Sequence, residues 1–595
     1  MFDEMEISFS YFAGENKRAV VFKDSLVNRD FCAKISFESG DGFKKLKLSI
    51  LPATELEIDS LSICSKHQFF ESSRIFANGY QSWTDSREFF PDERMRGITR
   101  LAAPILEKYQ LKKYGDYMFY KYSPKKGVFH GYTYSYVRDG DRLTLIGSLS
   151  ESNGFTIIEL LCKDGSIIIS KECKGLSIKD EYIAFDIILA EGREDFVFDK
   201  WFEKMEIGRP SCSPMTGWTS WYNYYQNISE DIILENLNNI HQSARKIDMF
   251  QIDDGYQCAV GDWLKVDKIK FPNGMKYIAD AVKLKGYKAG IWLAPFVCET
   301  NSELFKEKKE WLLRDKNGKP VLAGSNWSRF YALDINNTEV RDYIRNVFSV
   351  VLNQWGYDMV KLDFLYAVCL IPSKYKTRGQ IMTEAMQFIR ECTGDRLILG
   401  CGVPLGPCFG IVDYCRISCD VGLDWNDKFY MRYIVRERIS TFNAIKNAIS
   451  RRQLNGRAFL NDPDVFIIRD DNVKLTDAQK LTLFTANYIF GNLLFTSDNT
   501  GKYDSGKWAL FNKINELKPK RINKVDCGRN GLVEVSYFDG EEKCLALINL
   551  GRKRIRYDAS QSLIREISFG RKTDANAKAG KIKLDAYESR IFITG

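Results

Sequence analysis

Histidine is almost missing from this chain. Its 595 residues include only His67, His130 and His241, far apart and without metal-ligand spacing, which argues against histidine catalysis and histidine-held metal. The 15 cysteines are odd in number, scattered and free of any Cys-x-x-Cys. Neither a zinc ribbon nor a disulfide framework is expected, and a reducing cytoplasm fits best. No apolar run approaches the roughly 20 residues that span a bilayer. Met1-Phe2-Asp3-Glu4-Met5-Glu6 places acids where a signal peptide needs a basic stretch followed by an apolar one. A phosphate cradle is missing as well: Gly400, Gly402, Gly406 and Gly410 cluster without the P-loop lysine or the Rossmann spacing. The formal charge of +8 comes from 86 basic and 78 acidic residues with no dense basic block, which argues against nucleic-acid binding.

What the chain does have is the balance of a globular protein with large cores, 45% hydrophobic and 28% charged. Its length suits roughly two to four domains. Up to residue 205 short runs alternate in period two, as in Lys45-Leu46-Lys47-Leu48-Ser49-Ile50 and Ser166-Ile167-Ile168-Ile169-Ser170. That spacing predicts antiparallel β-structure, most simply a large sandwich. Within it, Asn78-Gly79-Tyr80-Gln81-Ser82-Trp83 joins turn residues to two aromatics and an amide. It reads either as core packing or as a sugar-binding loop.

Pro210 and Pro214 mark a linker. From 206 to 512, apolar strands separated by helical stretches predict a parallel α/β domain. The strand candidates are 216–221, 249–254, 289–294, 359–364, 397–402, 414–418, 458–462 and 488–498, and eight of them suit a (β/α)8 TIM barrel. Each ends on its C-terminal side in Trp, Asp, Cys or Arg, and that rim is where such barrels build active sites. Helices fall between them, one opened by Asn337-Thr338 with Glu339 following. Alternation returns over 513–595, as in Gly531-Leu532-Val533-Glu534-Val535, and predicts a small antiparallel C-terminal domain.

The sharpest stretch is Tyr357-Asp358-Met359-Val360-Lys361-Leu362-Asp363-Phe364. Residues i and i+2 share a strand face, so Lys361 and Asp363 are expected side by side at the end of a buried strand, either as a structural ion pair or as part of a polar cavity. Many carboxylates and several tryptophans leave carboxylate chemistry on a neutral, hydroxyl-rich substrate. Glycoside hydrolysis commonly needs one ionised and one protonated carboxyl. Beside Lys361 the Asp363 pKa is expected to be lowered, which suits a nucleophile. If the strand after Tyr414 continues, Arg416, Ser418 and Asp420 share a face and Asp420 sits at the loop mouth, held protonated by substrate and by Asp363. Asp253-Asp254 precede Gly255, where the strand can end and both carboxylates can turn inward onto sugar hydroxyls. A capping or structural role fits that pair equally.

Together, Gly217-Trp218-Thr219-Ser220-Trp221, Phe250-Gln251-Ile252-Asp253-Asp254, Gly290-Ile291-Trp292-Leu293-Ala294-Pro295-Phe296, Lys361-Leu362-Asp363-Phe364, Gly400-Cys401-Gly402-Val403-Pro404-Leu405 and Leu460-Asn461-Asp462-Pro463-Asp464 resemble family 36 of the glycoside hydrolases, in particular its shorter bacterial α-galactosidases. The resemblance runs in order from Asn78 to about Asp464. It implies an N-terminal β-supersandwich, a central (β/α)8 barrel, a C-terminal β-domain, retaining double displacement and no cofactor or metal. Carried over by residue, it implies Asp363 as nucleophile and Asp420 as acid/base. Lys361 and Arg416 would contact sugar hydroxyls, Asp253 and Asp254 would recognise the galactose 4- and 6-hydroxyls, and Trp221, Trp292 and Cys401 would line the pocket. It also brings Trp83 into the site on the Asn78–Trp83 loop, with Trp425 and Asp462 on the rim. Asp424 departs from the pattern as a competing acid.

The implied partner is an α-galactoside oligosaccharide or glycoconjugate, with no nucleic acid and no membrane. A homo-oligomer is left open. The rival readings are an α-N-acetylgalactosaminidase, an α-galactosyl transferase or transglycosylase, and a non-catalytic sugar-binding protein.

Overall fold

Alternating burial builds the first part of the molecule. In a computed structural model, which describes residues 4–98, 103–242, 247–427, 431, 436–514, 520–559, 563–570 and 581–595, the strand Glu6–Ala13 buries Ile7, Phe9 and Tyr11 and turns the residues between them outward. Phe43–Pro52 does the same with Leu46, Leu48 and Ile50. The two strands lie in different antiparallel sheets, one of seven strands and one of eight. Their inner faces share one apolar core that also takes Ile63, Leu160, Ile167, Ile169 and Ile187. Period-two patterning forces this arrangement, because only a face-to-face partner removes every second side chain from water.

After Pro214 the pattern changes to short, fully buried runs, which is what a sheet covered on both faces requires. The barrel strands are β1 (Met215–Thr219), β2 (Met249–Ile252), β3 (Lys288–Leu293), β4 (Met359–Leu362), β5 (Leu397–Gly400), β6 (Tyr414–Arg416), β7 (Leu460–Asp462) and β8 (Leu493–Thr496). All pair in parallel, in the order β8-β1-β2-β3-β4-β5-β6-β7. At the seam between β7 and β8 the Asn492 N–H donates to the Asn461 carbonyl at 2.9 Å. The result is a nearly closed barrel. Between β3 and β4, the helix Thr338–Ser349 is capped by Asn337, whose side chain accepts the Glu339 N–H.

Two expectations need correction here. Tyr488-Ile489-Phe490 do not open the eighth strand; they end the helix Asp477–Phe490, which a Thr476/Gln479 capping box starts. That helix is buried on nearly every face, so its apolar run carries no period to distinguish it from a strand. The strand carrying Arg416 stops at Arg416 itself, so Ser418 and Asp420 lie in a loop and alternation does not set their direction.

After the barrel, Lys520–Cys527, Leu532–Asp539, Glu542–Asn549, Leu563–Glu566 and Ser589–Thr594 form a five-stranded antiparallel sheet. A two-stranded ribbon, Ile555–Asp558 with Lys581–Leu584, packs beside it around Leu545, Leu547 and Phe592.

One buried arginine ties the N-terminal sheets to the barrel mouth. Arg451, 0% exposed, donates through Nη1 to the carbonyls of Ser82 (2.6 Å) and Ile417 (2.9 Å), and through Nε to Asn78 Oδ1 (3.1 Å). Its Nη2 reaches the carbonyls of Gly79 and Gln81. Burial pushes the guanidinium down to about 10. Its five carbonyl and amide acceptors replace the hydration it loses. Ser82 N–H also donates to the Val403 carbonyl at 2.9 Å. The Asn78–Trp83 loop is therefore fixed as firmly as a strand.

Candidate active site

A cavity of about 290 Å³ opens at the C-terminal rim of the barrel, at the lower end of the size range for small-molecule sites. Trp83, Trp221, Asp253, Asp254, Trp292, Lys361, Asp363 and Asp420 line it. Cys401, Arg416, Trp425 and Asp462 are not among the lining residues.

Each wall follows from how a strand ends. Past β1, Ser220 Oγ accepts the Asp253 N–H at 2.9 Å and Trp221 opens a short helix. Past β2, Gln251 Nε2 donates to Asp253 Oδ2 at 3.0 Å. Gly255 follows at φ +123°, where an added Cβ would meet the Gln226 carbonyl at 2.8 Å. Glycine is required for that turn, and the turn brings both adjacent aspartates to the cavity. Asp254 takes hydrogen bonds from Gln226 Nε2 (2.9 Å), Gln257 Nε2 (2.5 Å) and Trp327 Nε1 (2.8 Å). Burial nevertheless pushes its carboxyl up to about 6.

Lys361 and Asp363 do not form the expected pair. Lys361 Nζ reaches past β3 to Asp253 Oδ2 at 2.8 Å, at the end of β2, two strands away in the barrel. Asp363 lies one residue beyond β4, its Oδ2 accepting from Trp292 Nε1 at 3.2 Å and its Oδ1 from the Phe364 N–H at 2.9 Å. Burial raises its pKa above the ordinary carboxylate value, and Lys361 offsets only part of that. The expected lowering of the Asp363 pKa is therefore corrected: in a fully buried site the loss of hydration outweighs one cation.

Cys401 follows β5 under the Trp83 ring, and its Sγ accepts from Trp83 Nε1 at 3.3 Å. Gly402, at φ +56°, has the same indole 2.8 Å from where a Cβ would stand. Arg416 sits behind the cavity, ion-paired with Asp420 Oδ1 (2.8 Å), Asp462 Oδ2 (3.0 Å) and Asp464 Oδ1 (2.8 Å). Trp425 points away, packed on Phe442 and Tyr587. Asp424 Oδ1 accepts the Asp427 N–H at 2.7 Å and does not line the cavity.

Several lining residues escaped the sequence. Leu111 and Tyr114 come from the N-terminal part of the chain, Asn326 and Trp327 from the segment between β3 and β4, and Glu437 and Arg438 from the stretch after β6. Trp327 carried a usable signal, a lone indole in the polar run Gly324-Ser325-Asn326-Trp327-Ser328. Burial pushes Glu437 up to about 7. Phe364 stands between Trp83 and Trp327, each ring centroid 5.2 Å away and edge-on.

The chain is similar to known proteins in sequence and in fold. Residues 216–391 match the melibiase family model, a span that runs from β1 past Asp363 and stops short of Asp420. The α-galactosidase Mel36A of Lactobacillus acidophilus is 33% identical over 153 residues, 24% of this chain and 20% of that protein. TtGalA, an α-galactosidase from Thermus thermophilus solved with p-nitrophenyl α-D-galactopyranoside, superposes with a TM-score of 0.67 at 26% identity, over 86% of this chain and 96% of that one. The chain is a relative of the family 36 α-galactosidases. The GH36 α-galactosidase AgaA from Geobacillus stearothermophilus shares the fold at a TM-score of 0.63 and 12% identity, over 99% of this chain and 89% of its own. The shared fold therefore covers 99% of the chain, whereas the sequence match to Mel36A spans about a fifth of that protein's length.

Proposed function

We propose that this protein is a retaining exo-α-galactosidase that removes terminal α-linked galactose from oligosaccharides or glycoconjugates. The observation that carries the reading is that Asp363 and Asp420 border one small cavity whose remaining polar wall is Asp253, Asp254 and Lys361. Two carboxyls flanking one glycosidic bond are the minimum machinery for double displacement. The two donors on the Asp363 oxygens hold its carboxylate in a fixed direction. Asp363 attacks the anomeric carbon while Asp420 gives its proton to the leaving oxygen. Asp420 then takes a proton from water, which releases galactose from Asp363 with retained configuration.

Asp253, Asp254 and Lys361 accept and donate hydrogen bonds to the sugar hydroxyls, and the indoles of Trp83, Trp221 and Trp292 cover its C–H faces. Cys401, behind the lining, holds the Trp83 indole through its Sγ. The size of the cavity suits one sugar ring, hence exo action. Among the described residues no helix is long and apolar enough to cross a membrane. A cytoplasmic setting is part of the proposal and draws on the fifteen cysteines, all of which are free thiols.

Hydrolysis of p-nitrophenyl α-galactoside, followed by proton NMR of the first anomer released, tests the reading. The expected result is α-galactose first, with the corresponding α-N-acetylgalactosaminide turned over far more slowly. β-Galactose appearing first would make the enzyme inverting. A faster reaction with the acetamido sugar would change the substrate. Binding without turnover would leave a sugar-binding protein, and galactosyl transfer outrunning hydrolysis when acceptor sugar is added would make it a transferase.

A further inference from the structure

Asp420 is a loop residue asked to do directional chemistry. It lies four residues past Arg416, the end of β6, and its side chain is 31% exposed. A displacement of about 1 Å at such a group can reduce turnover on the order of 100-fold, so something outside regular structure has to aim it. Two contacts do so directly: the Ser440 N–H donates to the Asp420 carbonyl at 3.0 Å, and Arg416 Nη1 donates to Asp420 Oδ1 at 2.8 Å.

We propose that Asp464, anchored by Tyr222, is a positioning residue that aims the Asp420 carboxyl through Arg416 and through the peptide of Val421. This rests on the reading of Asp420 as the acid/base. Asp464 holds both supports of Asp420 at once. Its Oδ1 lies 2.8 Å from Arg416 Nη2, the far end of the guanidinium that holds Asp420. Its Oδ2 accepts the N–H of Val421, the very next residue of the loop, at 2.8 Å. The Tyr222 hydroxyl donates to the same Oδ2 and lies 3.3 Å from Arg416 Nη1.

The Asp464 backbone is itself fixed by its surroundings. Its φ is +76°, a left-handed conformation uncommon outside glycine, asparagine and aspartate. Two backbone bonds keep it there: its N–H donates to Asp462 Oδ1 at 2.8 Å, and its carbonyl accepts from Asn487 Nδ2 at 3.0 Å. Strain of this kind persists where the surroundings over-determine a residue, and it clusters at functional sites. Asp464 and Tyr222 are 1% and 2% exposed and neither lines the cavity, so they act on turnover only through the residues they hold. Three carboxylates share one guanidinium here. Burial first, and then the charges of Asp420 and Asp462, push Asp464 up to about 7 against the pull of Arg416.

A leaving-group series tests the assignment. Asp464→Asn, Tyr222→Phe and Asp420→Ala are assayed on aryl α-galactosides running from dinitrophenyl, which leaves without a proton, to phenyl, which needs one. For Asp464→Asn the expected loss of kcat/KM is about 10- to 100-fold on the phenyl substrate and within about threefold on the dinitrophenyl substrate. Tyr222→Phe, the milder change, follows the same trend with a smaller slope. Asp420→Ala is the reference, with the steepest dependence of all.

Thermal melting confirms which variants are folded. Equal losses across the series in a folded Asp464→Asn or Tyr222→Phe protein, beside a steep Asp420→Ala series, would overturn the positioning role. A flat Asp420→Ala series would instead overturn Asp420 as the acid/base, and the proposal with it.

Discussion

Lys361 and Arg416 are equally buried, with side chains 5% and 4% exposed, yet they sit in opposite surroundings. Lys361 has one ion-pair partner, Asp253, and lines the cavity. An ammonium carries three N–H donors, so a pair with one carboxylate leaves capacity for a sugar hydroxyl. Arg416 spends its fork on Asp420, Asp462 and Asp464 and stands behind the wall. Read from sequence, the two cations have the same task. In the structure one faces the cavity, while the other is a clamp that gathers three strand-end and loop carboxylates. Burial and charge alone do not separate a binding residue from a scaffold residue; the number of committed partners does.

The largest effect that sharpens this contrast is on the Lys361 side. Asp363→Ala is expected to lower kcat on an aryl α-galactoside by on the order of 10⁴-fold or more, the scale seen when a covalent nucleophile is removed. Melting should hardly change, because the substitution removes a buried carboxyl whose folded form already resists ionisation. Near-normal turnover in that variant would remove Asp363 as nucleophile and with it the functional meaning of the open side.

Next in size are the two cations themselves. Breaking a buried ion pair by deleting one partner costs about 3–5 kcal/mol, because the other charge is left uncompensated. Lys361→Met strands Asp253 and takes a nearby cation from Asp363, whereas Arg416→Met strands three carboxylates around one point. Denaturant unfolding should therefore show the larger loss of stability for Arg416→Met. Substrate affinity should fall more for Lys361→Met. Reversal of the two rankings would break the comparison.

How much of this the sequence discloses depends on distance along the chain. Seven barrel strands were legible as short buried runs with polar C-terminal ends, a signal local to each strand. The eighth was misplaced at its start because Tyr488, Ile489 and Phe490 end a helix buried on nearly every side. The Asn78–Trp83 loop could be singled out by composition, but not its anchor, since Arg451 lies more than 360 residues away. The Lys361 partner shows the same limit: i+2 spacing says which face two side chains share, and says nothing of a carboxylate 108 residues distant that comes closer. Spacing likewise lost Asp420 once β6 stopped at Arg416. Tyr114 was out of reach because the stretch carrying it has no period, and Trp327 was signalled by composition alone.

The smallest effect concerns pH, and it compares the two sides through Asp254 and Asp464. Burial pushes the first up to about 6 and the second up to about 7, against about 3.9 for an unfolded aspartate. Over that interval the folded carboxyl keeps a proton that the unfolded one has released, so the unfolded state binds fewer protons and stability falls as pH rises. The contribution is fully present below about pH 4. It is lost by about pH 6 for Asp254 and by about pH 7 for Asp464, at no more than about 1.4 kcal/mol per pH unit for each.

Melting temperatures taken across this range should therefore decline. Asp254→Asn should flatten the lower part of the decline, and Asp464→Asn should flatten it up to the higher limit. An unchanged slope in Asp464→Asn would mean that Arg416 keeps all three of its carboxylates ionised. The clamp would then be held by charge alone, with no shared proton.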